Sequence, residues 1–466
     1  MTFFGICGLL IFIYMRPHEF VPALASLQLL YPLLAITIIG IFLDVGARRS
    51  RLVGTPQIRI VLMMWLWCLI TLAVKRPDIL VEKGINISVS VTLYLVVAYG
   101  VQTVPRFMKT TLVIFGLGFF VAAVAVNQGT RPFTCIEIIP GTENAKGVPT
   151  EMLCPMVGPD GETLDGRAKC VEDGQPGMAY VCEKPGWFGT FSIQGRVRYL
   201  GVLMDPNEVA LATSMAIPFA FSFFEQRRTL TRLLLLIATL VLVGIGVVFS
   251  QSRGGQIVFS AVLGAYFMKK YGVRRGVIVA ATLAVPLMML GGRSGEEAEQ
   301  SSLERLEAAA AGIKMFLQYP VTGVGMTQFT EHHNLTAHNA YILSVGELGL
   351  PGMWLFVTLL MTSIRIPIAV LQHPLVDAEV AKVQSLAMAM LATFGGAMIG
   401  IFFLSWTYHY VLWIHFGLAG SLYLVIKAKD PTFEVPVTRR HVGMALGICI
   451  LILVALTIHT KRKHAW

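Results

Sequence analysis

The chain has 466 residues, of which 55% are hydrophobic and 14% charged, and its mean hydropathy is +0.69. No ordinary soluble domain has this balance, so much of the chain is solvated by lipid. A formal net charge of +10 does not indicate nucleic acid, because most Lys and Arg sit in short clusters between apolar runs, and no basic face is interleaved with stacking aromatics.

Inside hydrocarbon every backbone N–H and C=O must be satisfied within its own segment, so a spanning helix needs about 20 mainly apolar residues. The first such run is Phe3 to Tyr14. No basic residue precedes it and no small-residue cleavage site follows it, so it reads as a retained helix and not a removed signal peptide. Runs follow at Leu27 to Phe42, Ile58 to Ala73, Ile85 to Val101 and Thr110 to Val126. After a polar stretch from about Asn127 to Pro206 come Val209 to Phe224, Leu233 to Phe249, Ile257 to Phe267 and Val277 to Leu290. A second polar stretch runs from Gly291 to about Ala337. The last runs are Leu350 to Leu371, Ser385 to Leu404, Tyr408 to Ile426 and Val442 to Ile458. The fold class is therefore an all-α polytopic membrane protein with roughly 12 or 13 crossings. It divides into N-terminal helices (1–126), a cap loop (127–206), central helices (207–290), a second large loop (291–349) and C-terminal helices (350–466).

The loops around Arg48, Arg49 and Arg51, around Arg227 and Arg228, and from Lys269 to Arg275 are strongly basic and are expected in the cytoplasm. Counting from them puts both long polar stretches on the opposite side. Thirteen spans would leave the Lys461, Arg462, Lys463 tail on that side too, against the charge bias. One weak run, the first or Ile257 to Phe267, is therefore expected to be re-entrant or not a span at all. Cys135, Cys154, Cys170 and Cys182 all fall in the first loop, which predicts two disulfides in an exported cap with three possible connectivities. A zinc knuckle would need a close C-x-x-C pair, which is lacking. Frequent Gly and Pro between Gly141 and Gly186 predict an irregular cap.

The second loop carries Arg293 and the acidic run Glu296, Glu297 and Glu299, then Leu303 to Leu317 with apolar residues at helical spacing. That segment is predicted to be an amphipathic helix on the membrane, ended by Pro320 and the Gly323 to Gly325 turn. Glu331, His332, His333 and His338 follow. A neutral imidazole near pH 7 can act as a general base. His332 and His333 read as solvated or capping residues, and a zinc site from the three histidines lacks the i, i+4 pair of a helical metalloprotease. His338 differs in its setting, because Ala337-His338-Asn339-Ala340-Tyr341 opens an apolar helix where a substrate would reach the water and lipid boundary. Arg196, Arg198 and Arg253 lie at non-cytoplasmic helix ends, against the charge bias. A bound anion explains them, since a guanidinium forks onto phosphate oxygens, and Gly254 and Gly255 admit a close backbone approach. Pairing with Asp205, Glu208 or lipid headgroups is the alternative. Arg365, near the cytoplasmic end of a late span, reads as a snorkelling side chain.

At these residues the sequence resembles the O-antigen ligase and polymerase superfamily of bacterial envelope glycosyltransferases. The matching motifs are RVRYLGVLMDPNE followed by Pro218, the Ser252-Arg253-Gly254-Gly255 turn, and the segment from Leu303 to Gly352. That segment holds Arg305, Pro320, a GVG turn, His-Asn-Xaa-Tyr and Gly-Glu-Xaa-Gly. The cap with its cysteines has no counterpart in this pattern. The resemblance implies a glycosyltransferase C-like fold in the inner membrane, a catalytic second loop facing the periplasm, and an undecaprenyl-diphosphate-linked glycan as donor. It implies no metal and no cofactor. By position, His338 would be the general base, Arg198, Arg253 and Arg305 would hold the diphosphate, and Arg196, Asn339 and Tyr341 would complete the substrate site.

An O-antigen ligase acting on the lipid A core is the first reading of that resemblance. A protein O-oligosaccharyltransferase and a glycan polymerase share its donor and motifs and differ in acceptor. A transporter should carry charged residues near mid-span, whereas here the spans are nearly charge-free and the ionisable residues gather at one membrane face.

Overall fold

The computed structural model describes residues 1–138, 153–157, 163–169, 179–291, 296–374 and 378–463. Each predicted apolar run falls mainly on helix. The helices are Thr2–Met15, Leu30–Gly46, Ile58–Lys75, Leu80–Gly100, Val104–Gly129, Pro206–Ser214 continued by Ile217–Gln226, Leu230–Phe249, Arg253–Tyr271, Val273–Gly291, Ala340–Gln372, Ala378–Gly400, Tyr410–Lys429 and Arg439–Arg462. Among the described residues nine are long and apolar enough to cross a membrane, and Thr2–Met15 and Leu30–Gly46 are shorter apolar helices. The chain is an all-α polytopic membrane protein. Its centre is Tyr410–Lys429, buried along nearly its whole length, while Arg439–Arg462 and Leu230–Phe249 turn Leu, Ile and Val outward as lipid-facing helices do.

The ends of the helices define two faces. On one, Lys270 pairs with Glu225, Arg106 Nη1 meets Asp44 Oδ2 at 2.7 Å and Lys429 Nζ meets Glu379 Oε2 at 2.7 Å, so the basic loops share one side. Thr2 Oγ1 donates to Asp44 Oδ2 at 2.9 Å and Tyr199 OH donates to the Met15 carbonyl at 2.8 Å, so the first helix crosses from the basic face to the other. Arg253–Tyr271 runs from its Ser252 cap to Lys270 beside Glu225. Neither is among the nine described helices long and apolar enough to cross a membrane. The last helix starts where Trp354 Nε1 donates to the Val442 carbonyl at 2.8 Å. Near its far end Leu456 packs with Ala309, Ile313 and Phe329, so Lys461 to Lys463 lie away from the basic loops.

The described residues of the cap include two pairs of strands. Thr134–Ile138 pairs antiparallel with Ala179–Glu183, and Leu153–Val157 with Thr163–Lys169. Cys154 and Cys182 form a disulfide, and Cys135 is also disulfide-bonded, while Cys170 lies outside the described residues.

Two glycine motifs of the second loop are packed on each other. Val324 N donates to the Gly346 carbonyl and Gly325 N to the Glu347 carbonyl, both at 2.9 Å, and the buried Glu347 Oε1 accepts from Phe329 N at 3.0 Å. Gly323 has φ 61°, and a Cβ there would lie 2.3 Å from the Glu347 carbonyl carbon, so only glycine fits. The helix from Ala340 begins ten residues before the apolar run at Leu350, because it bends at Gly349, φ 68°, just before Pro351. Its buried first segment carries the polar motif.

Candidate active site

A cavity of about 670 Å³ opens on the face opposite the basic loops, within the roughly 300–1,000 Å³ typical of ligand pockets. Arg196, Arg305, His338, Asp205, Glu208 and Glu304 line it, with Gln194, Asn207, Gln300 and Ser301 between them. Three segments far apart in sequence therefore supply two guanidiniums, three carboxylates and one imidazole.

The sequence around His338 fixes that side chain's backbone. Thr336 Oγ1 and Ser405 Oγ are 2.9 Å apart, and Ala340 N donates to the Ile401 carbonyl at 2.8 Å. Asn339 Oδ1 caps the helix by accepting from Tyr341 N at 2.9 Å and Ile342 N at 3.1 Å. Between these anchors His338 is left-handed, φ 46°, a conformation that costs of order 1–3 kcal/mol and persists only when its surroundings over-determine it. The Nδ1 atoms of His332 and His333 are hydrogen-bonded to the Gln328 and Leu335 carbonyls, as capping residues would be. The His338 ring has no hydrogen bond among the described residues and faces the cavity. Burial pushes its pKa below the usual 6.5, opposed by Asp205, assisted by Arg305 and opposed by Glu304, so the neutral base form dominates at pH 7.

Arg196 is buried, and its Nε donates to the Ser250 carbonyl at 2.9 Å. The turn before it is held by Glu183, whose carboxylate accepts from Ser192 Oγ and Gln194 N at 2.5 Å and from Gly195 N at 2.9 Å. Hydrogen bonds to a charged acceptor contribute about 1.5–3 kcal/mol each. Glu183→Gln is therefore expected to lower the thermal midpoint and, by releasing Arg196, to reduce turnover, both measurable on detergent-purified protein. Arg305 projects from Glu296–Gln318, the predicted amphipathic helix. Its Ala308, Ala310 and Ile313 face is buried in packing against Ala340–Gln372 and Arg439–Arg462, and Leu303 and Leu317 stay exposed. The helix thus packs on protein along one side.

The other sequence-predicted residues lie around the cavity and not along its lining. Arg198 Nε donates to the Phe191 carbonyl at 3.0 Å, and the guanidinium lies 4.4 Å from that ring's centroid. Arg253 is the first residue of its helix, after the cap Ser252, which accepts from Gly255 N at 2.8 Å and bonds to Asn207. Tyr341 is buried, donating to the Met398 carbonyl at 3.1 Å. In the sequence Asp205 and Glu208 stand only as alternative partners for the arginines, although Asp205-Pro206-Asn207-Glu208 is a legible capping box. Behind Glu208, Trp406 Nε1 donates to its Oε1 at 3.3 Å, and His409 stacks on Trp406 at 4.0 Å. His409 uses both ring nitrogens, on the Val202 carbonyl and Val411 N, and burial pushes its pKa down to about 4. It is a neutral structural residue.

Fold and site together define a multi-pass membrane protein with a charged, partly enclosed cavity at one membrane face. Residues 238–357 match the family model described as O-antigen ligase, which supports the O-antigen ligase and polymerase superfamily. The matched stretch carries Arg253, Arg305 and His338, while Arg196, Arg198 and the cap precede it. Among curated proteins none matches. A solved chain from the structure described as "Structural coordination of polymerization and crosslinking by a peptidoglycan synthase complex" is similar, with a TM-score of 0.42 and 13% identity over 81% of this chain and 98% of that one.

Proposed function

We propose that the protein is an O-antigen ligase of the bacterial inner membrane. It transfers a glycan from undecaprenyl diphosphate to a hydroxyl of the lipid A core, with its cavity facing the periplasm. The observation that carries this reading is the uncommitted His338 ring in one cavity with Arg196 and Arg305. His338 takes the proton of the acceptor hydroxyl as its oxygen attacks the anomeric carbon. The bond from that carbon to the phosphate oxygen breaks, the diphosphate leaves with the electron pair, and the anomeric configuration inverts. The guanidiniums stabilise the developing charge without reorganising, and Arg198 and Arg253 support the donor site from outside the lining. Asn339 and Tyr341 hold the helix that presents His338. The chemistry asks for no metal.

The test is transfer from a defined undecaprenyl-diphosphate glycan, with EDTA throughout, to lipid A core, to a serine-containing acceptor protein or to a second donor-linked glycan. Product on lipid A core supports the ligase. Product only on protein or only on glycan moves the assignment to an oligosaccharyltransferase or a polymerase.

A pH profile follows from His338. The reaction needs the neutral ring, and burial depresses its pKa, so kcat/KM should be flat through pH 7 and fall only as pH drops through a value below 6.5. An acid limb centred above 6.5 would contradict this environment.

A further inference from the structure

We propose that Asp205 is the positioning residue for His338, holding the imidazole in line with the acceptor hydroxyl. This rests on the reading of His338 as base. Asp205 lines the same cavity as His338, and its own position is set by the chain. It is the N-cap of Pro206–Ser214, with Oδ1 accepting from Asn207 N and Nδ2 at 2.6 Å each and with a reciprocal capping box to Glu208. A carboxylate has about four lone-pair sites, so capping leaves acceptor capacity for an imidazole N–H. His338 supplies the complement: its backbone is pinned on both sides and its ring is unclaimed by protein, so a bound acceptor and one carboxylate determine its orientation.

Other charged groups face the same space. Glu208 is drawn back towards Trp406 and His409, and Glu304 sits on the helix beside Arg305 and accepts from Gln300 Nε2 at 3.2 Å. Arg196 is tied to the Ser250 carbonyl. Asp205 is the carboxylate fixed by its own helix cap at the cavity wall, and its charge favours the imidazolium, against the larger effect of burial. An acid that orients a histidine and stabilises the imidazolium formed during proton transfer is a general device of acyl transfer sites.

The experiment compares wild type, Asp205→Asn, Asp205→Glu and His338→Asn as full chains in detergent, with the donor and acceptor that wild type uses. Asparagine caps a helix as well as aspartate does, so Asp205→Asn should keep the thermal midpoint while removing the charge. The expected result is a kcat lower by about 100-fold, the cost of misplacing a reacting group by about 1 Å. KM for donor should change little, and the acid limb should move to lower pH because a carboxylate that favours the imidazolium has gone. Asp205→Glu should restore part of kcat. Wild-type kcat and an unshifted limb in Asp205→Asn, with His338→Asn inactive, overturn the positioning role and leave the base assignment standing. Activity retained in His338→Asn overturns both.

Discussion

Replacing His338 with asparagine should lower kcat by about 100-fold to 10,000-fold, the contribution of a positioned general base, while leaving the fold intact. Asparagine is the informative substitution because the residue is left-handed, φ 46°, a region that asparagine enters more easily than alanine. The imidazole makes no hydrogen bond among the described residues, so its removal leaves no orphaned partner, and the anchors Thr336, Asn339 and Ala340 are untouched. A thermal midpoint within about 2 °C of wild type, a small ΔΔG on the usual scale, together with lost transfer, would assign the effect to chemistry. Turnover above a tenth of wild type would mean that His338 is not the base. His332→Asn and His333→Asn are the internal controls, since both rings cap local backbone and lie outside the cavity lining.

Most of the membrane architecture was legible because hydrocarbon allows few alternatives. An apolar run of sufficient length must be helical there, and Leu233 to Phe249 lies inside the helix Leu230–Phe249 almost to the residue. Runs interrupted by Gly or Pro were read short. The helix holding His338 begins at Ala340 because the bend at Gly349 joins a polar-flanked segment to the apolar one, and a hydropathy window sees only the second. The cap strands were missed for a related reason. Thr134–Ile138 pairs with residues more than forty positions away, and no alternation within five residues announces such a return.

Site residues were legible where their role is local. Asn339 as a cap and Asp205-Pro206-Asn207-Glu208 as a capping box are readable from spacing. Glu183 gives no such signal, because it bonds backbone 11 and 12 residues later only once the strand from Ala179 has returned to the membrane face. Arginine is a weaker guide than its charge suggests. Three arginines read alike as anion-binding in the sequence, yet Arg196 lines the cavity, Arg198 lies over Phe191 and Arg253 starts a helix. Which way a guanidinium turns is decided by carbonyls and rings contributed from elsewhere in the fold.

Arg305 carries the second large prediction. It reaches the cavity from a helix that is packed through Ala308, Ala310 and Ile313, so its substitution should not unfold the site. If it holds the diphosphate leaving group, Arg305→Ala should lower kcat by about 100-fold to 1,000-fold, as loss of one preorganised donor to a developing anion does. Arg305→Lys should recover only part of this, because an ammonium keeps the charge without the fork that meets two oxygens. The effect should fall on kcat more than on KM for donor, since charge on the diphosphate grows as the glycosidic bond breaks. Arg196→Ala is the less clean comparison, because it also leaves the Ser250 carbonyl without its Nε donor and should lower the thermal midpoint as well. A rise in KM with unchanged kcat in Arg305→Ala would place Arg305 in ground-state binding of the donor, and the transition-state charge would then fall to Arg196 and the helix N-termini at Pro206 and Arg253.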